Sequence, residues 1–244
     1  MSFVYVFTAT RQEAKPVAKL MAQGRTRSEF GHRGVIGSDE VELIVSGTGP
    51  LAAHACARKA VEQSGALRAD AILVAGFCGA LSSRFPESTL VVYLGCLSTL
   101  EDRKRLSSPL APRLCTRLIT GGIPCVGAVG ITSARIASSK AEKLALAASG
   151  AEVVDMESYP ILQLAAAAAI PCLVLRVVSD SLDRRLPDFN PALQPNGRMS
   201  LAAAARVALR SPLRTVQLVR ASRKAMEKLS IALPVIFAGG GFQS

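Results

Sequence analysis

The stretch 152–180 constrains the fold of this chain more than any other part of the sequence. A short β-branched run, 152–155, ends in an aspartate, and an Ala-rich, helix-permissive segment covers 156–169. Pro171 breaks that helix, and the run 172–178 has the composition of a strand buried on both faces. A strand, a helix and a second strand with short joints predict a right-handed βαβ crossover.

Both strands of this unit end in acidic and hydroxyl residues. Asp155-Met156-Glu157-Ser158 follow the first strand, and Ser179-Asp180 follow the second. In open α/β sheets ligands bind beyond the carboxyl ends of the strands, so we expect the two acidic clusters to meet at one rim and form the active site. The apolar strand before Asp180 predicts a desolvated carboxyl group. Arg176, inside that strand, predicts a structural salt bridge.

Strands and helices alternate along the rest of the chain. Strands are predicted at 3–8, 41–46, 71–75, 89–93 and 124–129, and helices at 11–23, 51–63, 138–148, 201–209 and 213–229. The alternation predicts a three-layer α/β/α sandwich with a central mixed sheet. Nothing resembles a linker, so we expect one domain over 1–244, with a core at about 3–182 and a C-terminal helical extension at about 183–244.

Two glycine-rich segments follow predicted strands. The first, 47–52 (GTGPLA), matches the dinucleotide-binding pattern, but the acid which that pattern requires, Asp70, precedes the next strand instead of ending it. A turn whose backbone approaches a small ligand or anion remains the better interpretation. The second, 76–80 (GFCGA), predicts another turn at the same rim. The polar, basic stretch 98–122 predicts a flap over the pocket.

Composition limits the environment and the partners of the chain. Half of the 244 residues are hydrophobic, which is enough for a sizeable core, and the six cysteines form no C-x-x-C pair. We therefore expect no disulfide framework, metal site or cofactor, a cytoplasmic location and no membrane span. The formal net charge of +11 fits either a solvated basic surface or anionic partners, namely phosphate esters, nucleic acid or a membrane face.

The order of short motifs resembles that of a known family. After the first strand comes TATRQE, and SGTGP, AGFCGAL, VVDMES and VLRVVSD follow in turn. This order resembles the purine nucleoside phosphorylase and nucleosidase superfamily over about residues 3–182, and it is most similar to the methylthioadenosine/S-adenosylhomocysteine nucleosidase branch. The stretch 186–220 looks like the C-terminal region of the hopanoid-associated phosphorylases, which are thought to remove adenine from adenosylhopane.

The resemblance implies a role for each matching residue. Asp180 would protonate N7 of the departing purine. Glu157 would bind the ribose hydroxyls with Met156 packing under the sugar, and Glu13 would orient or activate the attacking water. Cleavage of an N-glycosidic bond requires such a general acid at the base and negative charge beside the oxocarbenium-like sugar. The other substrate-binding residues that the resemblance implies are Gly47, Gly49, Cys78, Gly79 and Ser179.

The chain also departs from the family pattern. Phosphorylases of the family place an arginine before the second glycine segment, where this chain has Val74-Ala75. Water is therefore favoured over phosphate as the nucleophile, although Arg11 lies near enough to serve as a phosphate ligand. The segment 132–135, which usually supplies an aromatic residue to stack on the purine, contains Arg135 instead, and this arginine would stack on the base or contact an anion. The sequence pattern alone also allows a structural role for Glu13, as a carboxylate at the start of a helix that the helix dipole favours.

Three functional hypotheses follow. The first is an enzyme that releases adenine from an adenosyl compound by hydrolysis, and the second is a phosphate-dependent purine nucleoside phosphorylase. The third is a non-catalytic protein that binds nucleosides or nucleic acid, although no RNA-binding motif supports it. A homo-oligomer is expected. The basic residues of the two C-terminal helices, which Pro212 separates, fit either solvent or the anionic cytoplasmic face of a membrane.

Overall fold

The computed structural model describes residues 2–21, 26–28, 31–63, 69–100, 104–194, 196–238 and 242. The strands are Phe3–Thr8 (β1), Thr26–Arg27 (β2), His32–Ile36 (β3), Asp39–Val45 (β4), Ala71–Ala80 (β5), Leu90–Ser98 (β6), Leu106–Ser107 (β7), Val126–Thr132 (β8), Val153–Asp155 (β9) and Cys172–Asp180 (β10). The helices are Arg11–Leu20 (α1), Pro50–Gln63 (α2), Ala111–Thr120 (α3), Lys140–Ala147 (α4), Ser158–Ala167 (α5), Leu201–Arg210 (α6) and Pro212–Phe237 (α7).

The strands form one mixed sheet. β4, β1, β5 and β10 lie side by side and parallel, so their carboxyl ends meet at one edge. β10 also pairs antiparallel with β6, which runs parallel to β8 and, through it, to β9. β9 then pairs antiparallel with the end of β5. These last pairings close β5, β10, β6, β8 and β9 into a ring at one end of the sheet.

Helices cover both faces of the sheet, which confirms the predicted three-layer α/β/α architecture. On one face, α2 and α5 pack against the side chains of Tyr5, Ile72 and Val174. On the other, α1, α3 and the C-terminal half of α7 pack against the alternate strand residues, such as Val6 and Leu73. The alternation along each strand is what an extended chain buried on both faces produces.

The predicted βαβ crossover over 152–180 is wrong in its strand direction. β9 and β10 do not pair with each other; both pair with β5, β9 antiparallel and β10 parallel. Gly79 lies between Val154 of β9 and Asp180 of β10. The two acidic clusters therefore meet because the ring closes around β5, and not because two parallel strands end together.

Two predicted loops are regular structure instead. The segment 76–80 is not a turn but the second half of β5, which is straight enough to pair with both β9 and β10. About half of the predicted flap at 98–122 is β7 and α3, and α3 buries Leu114 and Leu118 in the core. Residues 101–103 of that flap, and 239–241 of the C-terminal segment, lie outside the described residues.

The C-terminal helices divide at Ser211, as Pro212 predicts, but α7 continues to Phe237. α6 has no buried residue, whereas α7 buries Ala225, Leu229 and Leu233 in the core. Among the described residues, no helix is both long and apolar enough to cross a membrane.

Candidate active site

The carboxyl ends of the four parallel strands surround a cavity of about 490 Å³. Four carboxylates line it: Glu13 at the start of α1, Asp155 at the end of β9, Glu157 before α5, and Asp180 at the end of β10. We call it the acidic cavity. All four residues are buried, so each carboxylate needs polar partners within the protein.

Arg176 of β10 neutralises part of this charge from behind the cavity. Its side chain is 1% exposed; Nε lies 3.2 Å from Asp155 Oδ2, and Nη2 lies 3.4 Å from Glu157 Oε2. The guanidinium also donates to Ser158 Oγ, at 2.9 Å, and to the Phe77 carbonyl, at 3.4 Å. The predicted structural salt bridge of Arg176 is thus present, and it links three elements of the fold.

Asp155 fixes the start of α5. Its Oδ1 accepts hydrogen bonds from the backbone amides of Glu157 and Ser158, both at 3.1 Å, and from Thr132 Oγ1 at 2.7 Å. Its Oδ2 accepts from the Ser158 hydroxyl and faces Arg176. With both oxygens occupied by these groups, Asp155 is suited to positioning Glu157.

Glu157 is held between the glycine turn and Arg176. Its Oε1 accepts a hydrogen bond from the Gly49 amide at 3.0 Å, and its Oε2 faces the Arg176 guanidinium. Gly49 has a φ of +99°, a conformation that a residue with a Cβ rarely adopts. The turn at 47–50, which the sequence predicts to approach a ligand or anion, thus binds a carboxylate of the protein.

The environment of Glu157 shifts its protonation equilibrium. Burial raises the pKa of Glu157 to about 7, with Asp155 and Glu13 adding to the rise, while Arg176 and the Gly49 amide oppose it. Burial favours the neutral form of a carboxyl group, and neighbouring carboxylates do the same. A group titrating near neutral pH in a cavity is a candidate functional residue.

Glu13 is both a helix cap and a cavity residue. Its Oε2 accepts hydrogen bonds from the backbone and the hydroxyl of Thr10, both at 2.9 Å, in a capping box at the start of α1. Its Oε1 accepts from the Phe77 amide of β5, also at 2.9 Å. A Cβ on Gly76 would lie 2.5 Å from that oxygen, so only glycine leaves room for this carboxylate.

Asp180 lies at the end of β10 and lines the acidic cavity. Its Oδ1 lies 2.8 Å from Ser179 Oγ, and its Oδ2 accepts from the Nζ of Lys143 at 2.5 Å. A Cβ on Gly79 would come within 2.9 Å of Oδ2, so this glycine also makes room for an acid. The desolvated setting predicted for Asp180 is present, since the residue is buried. The sequence does not indicate Lys143, because a lysine on a short helix is normally exposed.

A second cavity of about 570 Å³ adjoins the acidic cavity. The two share Thr48, Arg135 and Met156, so Met156 and its neighbours form the boundary between them. The lining of the second cavity is mostly apolar and includes Pro50, Leu51, Leu100, Pro191 and Leu193. We call it the apolar cavity. Asp188, Asn190 and Gln194 supply its polar edge.

The structure brings most of the predicted site residues together. The acidic cavity is lined by Glu13, Cys78, Gly79, Arg135, Met156, Glu157, Ser179 and Asp180, and the apolar cavity adds Gly49. Two predicted site residues, Gly47 and Arg11, line neither cavity. Gly47 packs against Gly197 with a φ of +85°, and Arg11 is exposed at the start of α1.

Sequence reasoning missed several residues that line the acidic cavity, in addition to Lys143, which contacts Asp180 from outside the lining. Phe77 and Phe189 line the acidic cavity and are half-buried. Phe189 lies in the proline-rich segment after β10, whose length and composition do not indicate where it folds. Leu218 and Val219 of α7 also line the acidic cavity. Within the described residues, no group of three or more His, Cys, Asp or Glu is suited to hold a metal ion.

Comparison with known proteins places these features in a family. Residues 4–211 match the family model described as the phosphorylase superfamily. No curated protein sequence matches the chain.

Several solved structures share the fold. A futalosine hydrolase mutant of Helicobacter pylori superposes with a TM-score of 0.77 and 16% identity, over 97% of this chain and 98% of that one. The 5′-methylthioadenosine/S-adenosylhomocysteine nucleosidase of Neisseria meningitidis, in complex with methylthio-immucillin-A, superposes with a TM-score of 0.76 and 16% identity. The superposition covers 97% of this chain and 98% of that one. The corresponding nucleosidase of H. pylori superposes with a TM-score of 0.75 and 17% identity, over 95% of this chain and 96% of that one. At these identities the likeness establishes the fold.

The raised pKa of Glu157 predicts a pH-dependent stability. Between its usual value of 4.5 and about 7, the folded protein holds a proton that the unfolded chain releases. The stabilisation is therefore complete below 4.5 and is lost as pH rises through about 7. Each unit of pKa shift corresponds to about 1.4 kcal/mol of unfolding free energy. The unfolding free energy of Glu157→Gln, relative to that of wild type, should therefore rise by on the order of a few kcal/mol from pH 5 to pH 8.

Urea denaturation of both proteins at the two pH values measures this difference. The matched control is Glu142→Gln. Glu142 is exposed and its pKa is lowered by hydrogen bonds from Ser139, so it is ionised at both pH values and its substitution should cost the same at each. A Glu157→Gln difference in stability that is equally constant would contradict a buried carboxyl group whose pKa is raised to about 7.

Proposed function

The chain belongs to the phosphorylase superfamily, and we propose that it cleaves the N-glycosidic bond of an adenosyl compound, releases adenine and uses water as the nucleophile. The observation that carries this proposal is the placement of Asp180 and Glu157 in one cavity. Such a bond breaks when the base receives a proton and the sugar's positive charge is stabilised. A buried acid at the base and a carboxylate at the ribose serve these two needs.

The end of the cavity near Asp180 fits the purine. Asp180 and Ser179 offer a carboxyl and a hydroxyl beside Cys78, whose thiol pKa is raised well above its usual value by burial. A neutral thiol suits the edge of an uncharged base. Phe77 and Phe189 line the same cavity and supply the aromatic surface that the segment 132–135 lacks. Base recognition is accordingly assigned to residues of β5 and of the segment after β10.

The Glu157 end fits the ribose. The Arg176 and Gly49 contacts fix the carboxylate, so it needs no reorganisation when a substrate binds. Met156 lies at the boundary of the two cavities, where it would pack under the sugar. A carboxylate that accepts hydrogen bonds from ribose hydroxyls orients the sugar and offsets the positive charge that develops on it.

Water is favoured as the nucleophile over phosphate. Glu13, with its hydrogen bonds from Thr10 and Phe77, is positioned to orient a water molecule in the cavity. Phosphate would need cationic ligands, and Arg135 is the one cation among the described residues that line either cavity. Arg11, the alternative phosphate ligand, lies outside both linings. A phosphate-dependent reaction remains the second candidate through Arg135.

Product analysis tests the reaction. Wild type in phosphate-free buffer should convert an adenosyl compound to adenine and the free sugar. Asp180→Asn should lose more than ~10²-fold in rate, because the amide is nearly isosteric with the acid but supplies no proton. Asp183→Asn, which changes an exposed aspartate three residues further on, is the matched control and should turn over normally.

Formation of a sugar 1-phosphate only, with no turnover unless phosphate is added, would replace hydrolysis by phosphorolysis. Normal turnover by Asp180→Asn would remove Asp180 from the role of acid. Binding of adenosyl compounds without any adenine release would favour the non-catalytic nucleoside-binding protein.

The apolar cavity supports a substrate with a large apolar 5′ substituent. It begins at Thr48 and Met156, on the ribose side, and continues past Leu51, Leu100 and Leu193. Its volume of about 570 Å³ exceeds what a methylthio group fills. A lipid-like substituent such as the hopane of adenosylhopane, which the sequence of the C-terminal region indicates, has the required character. We therefore propose a lipid-tailed adenosyl compound as the substrate class.

Apolar burial predicts a chain-length dependence. In a series of 5′-alkylthioadenosines, kcat/KM should rise as the alkyl group lengthens from methyl to octyl, since each buried CH₂ contributes roughly 0.8 kcal/mol. Leu193→Ser should flatten this rise, whereas Ile119→Ser, at an exposed position on α3, should leave it unchanged. A kcat/KM that falls with chain length would contradict an apolar 5′ site.

The C-terminal helices support contact with an anionic membrane. α6 buries no residue, and Leu201, Leu209 and Leu213 are 85%, 82% and 79% exposed. The range 198–226 contains seven basic residues and no acidic one. These are Arg198, Arg206, Arg210, Arg214, Arg220, Arg223 and Lys224. Exposed leucines beside uncompensated positive charge fit a membrane surface, where the leucines would contact acyl chains and the basic residues would contact anionic headgroups. We propose that this surface docks on the cytoplasmic face of a membrane.

Vesicle co-sedimentation tests the docking. Each basic residue near an anionic surface contributes about 1 kcal/mol, so binding should be reversible and should fade as salt rises. The triple variant Arg214→Gln, Arg220→Gln, Arg223→Gln should bind more weakly than a control with the same net charge. That control changes Arg58, Arg113 and Arg117 to Gln, on α2 and α3. Equal binding of the two variants, or failure of wild type to bind phosphatidylserine vesicles at low salt, would remove the membrane role.

Other expectations stay predictions. They are the homo-oligomeric state, the cytoplasmic location and the division of one domain into a core and a C-terminal helical extension. Nucleic-acid binding is not favoured by any feature of the two cavities.

A further inference from the structure

A lysine is buried directly behind the catalytic carboxyl group proposed above. Lys143 lies on α4, its side chain is 0% exposed, and its Nζ is 2.5 Å from Asp180 Oδ2. Asp180 lines the acidic cavity, whereas Lys143 does not. The ammonium group therefore contacts the carboxyl group from the side away from a bound substrate.

The surroundings of Lys143 satisfy its ammonium group completely. Besides Asp180, the Nζ donates to the carbonyl oxygens of Ser181, at 2.6 Å, and Arg184, at 3.3 Å. An ammonium group has three protons to donate, and each has an acceptor here. A buried charge is stable only with such partners. The capping box of α4, formed by Ser139 and Glu142, fixes the helix that carries the lysine.

This ion pair raises a question about the source of the proton. A carboxylate paired with an ammonium ion carries no proton of its own, yet the departing adenine must receive one. Among the described residues, the donors that contact the Asp180 carboxylate are the Lys143 ammonium and the Ser179 hydroxyl. An ammonium ion is a far stronger acid than an alcohol. We infer that Lys143 supplies the proton and that Asp180 transfers it to the base.

The step balances as follows. As the bond from C1′ to N9 breaks, its electron pair goes to the adenine ring. A proton moves from Lys143 Nζ to the Asp180 carboxylate, and the carboxyl group gives a proton to N7 of the base. Water adds to C1′ and loses a proton through Glu13 to solvent. After adenine leaves, Asp180 takes a proton from solvent in the cavity and returns it to the neutral Lys143 amine. Lys143 never touches the substrate, so it is a positioning and proton-supplying residue that acts through Asp180.

The test rests on the proposed function and compares two variants on two probes. Lys143→Arg keeps the charge and the hydrogen bonds, but a guanidinium does not release its proton. Lys143→Met removes the charge and keeps the length. The probes are 5′-octylthioadenosine, whose base needs a proton, and the 4-nitrophenyl riboside with the same 5′ group. The nitrophenolate of the second probe leaves without protonation.

Lys143→Arg should lose ~10²-fold or more in adenine release, the usual size of a general-acid effect. Lys143→Met leaves Asp180 buried without a cation, which favours the protonated carboxyl group, so this variant should release adenine faster than Lys143→Arg. Both variants should keep nitrophenolate release within about tenfold of wild type. Retained nitrophenolate release also shows that each variant is folded. Adenine release by Lys143→Arg at the wild-type rate would reduce Lys143 to a structural ion pair. Equal losses on both probes would likewise contradict proton supply. If wild type releases no adenine, the proposed function fails, and this inference fails with it.

Discussion

The buried guanidinium of Arg176 is the interaction on which the rest of the site depends. It comes from the centre of β10 and contacts Asp155, Glu157 and Ser158, which lie at the junction of β9 and α5. It also donates to the carbonyl of Phe77 in β5. Removing one partner from such a buried pair typically costs about 3–5 kcal/mol, because the remaining charge stays buried. One side chain thus holds three elements at the distance that the cavity requires.

The distribution of charge around the acidic cavity follows from this arrangement. Four carboxylates face inward; Arg176 lies behind Asp155 and Glu157, and Lys143 lies behind Asp180. These two cations satisfy the carboxylates without lining the cavity, where Arg135 is the one cation among the described residues. Negative charge of this kind stabilises the positive charge that develops on the sugar in the proposed cleavage. Charges that the fold already holds in position need no reorganisation during the reaction.

Much of the fold and part of the site were predictable from sequence, for physical reasons that particular residues make clear. The runs at β1, β5 and β10 are apolar because they are buried on both faces, so their positions and the layer order could be predicted. The resemblance of the motifs to the purine nucleoside phosphorylase and nucleosidase superfamily is confirmed at the level of the phosphorylase superfamily. Strand direction was not predictable. Val153–Asp155 is too short to carry a direction in its pattern, and its antiparallel pairing with Ala80 and Gly79 depends on ring closure. Lys143 could not be found either, because its partners lie 37 or more residues away.

The central claim is that one cavity binds an adenosyl compound with its base at Asp180 and its ribose at Glu157. A crystal structure of the Asp180→Asn variant with 5′-methylthioadenosine tests it most directly, because the variant should bind the substrate without cleaving it. The account predicts N7 of the purine within hydrogen-bond distance of the side chain at position 180, the ribose hydroxyls on Glu157, and the methylthio group pointing past Met156 into the apolar cavity. A purine bound in the apolar cavity, or a ribose that does not contact Glu157, would contradict the account.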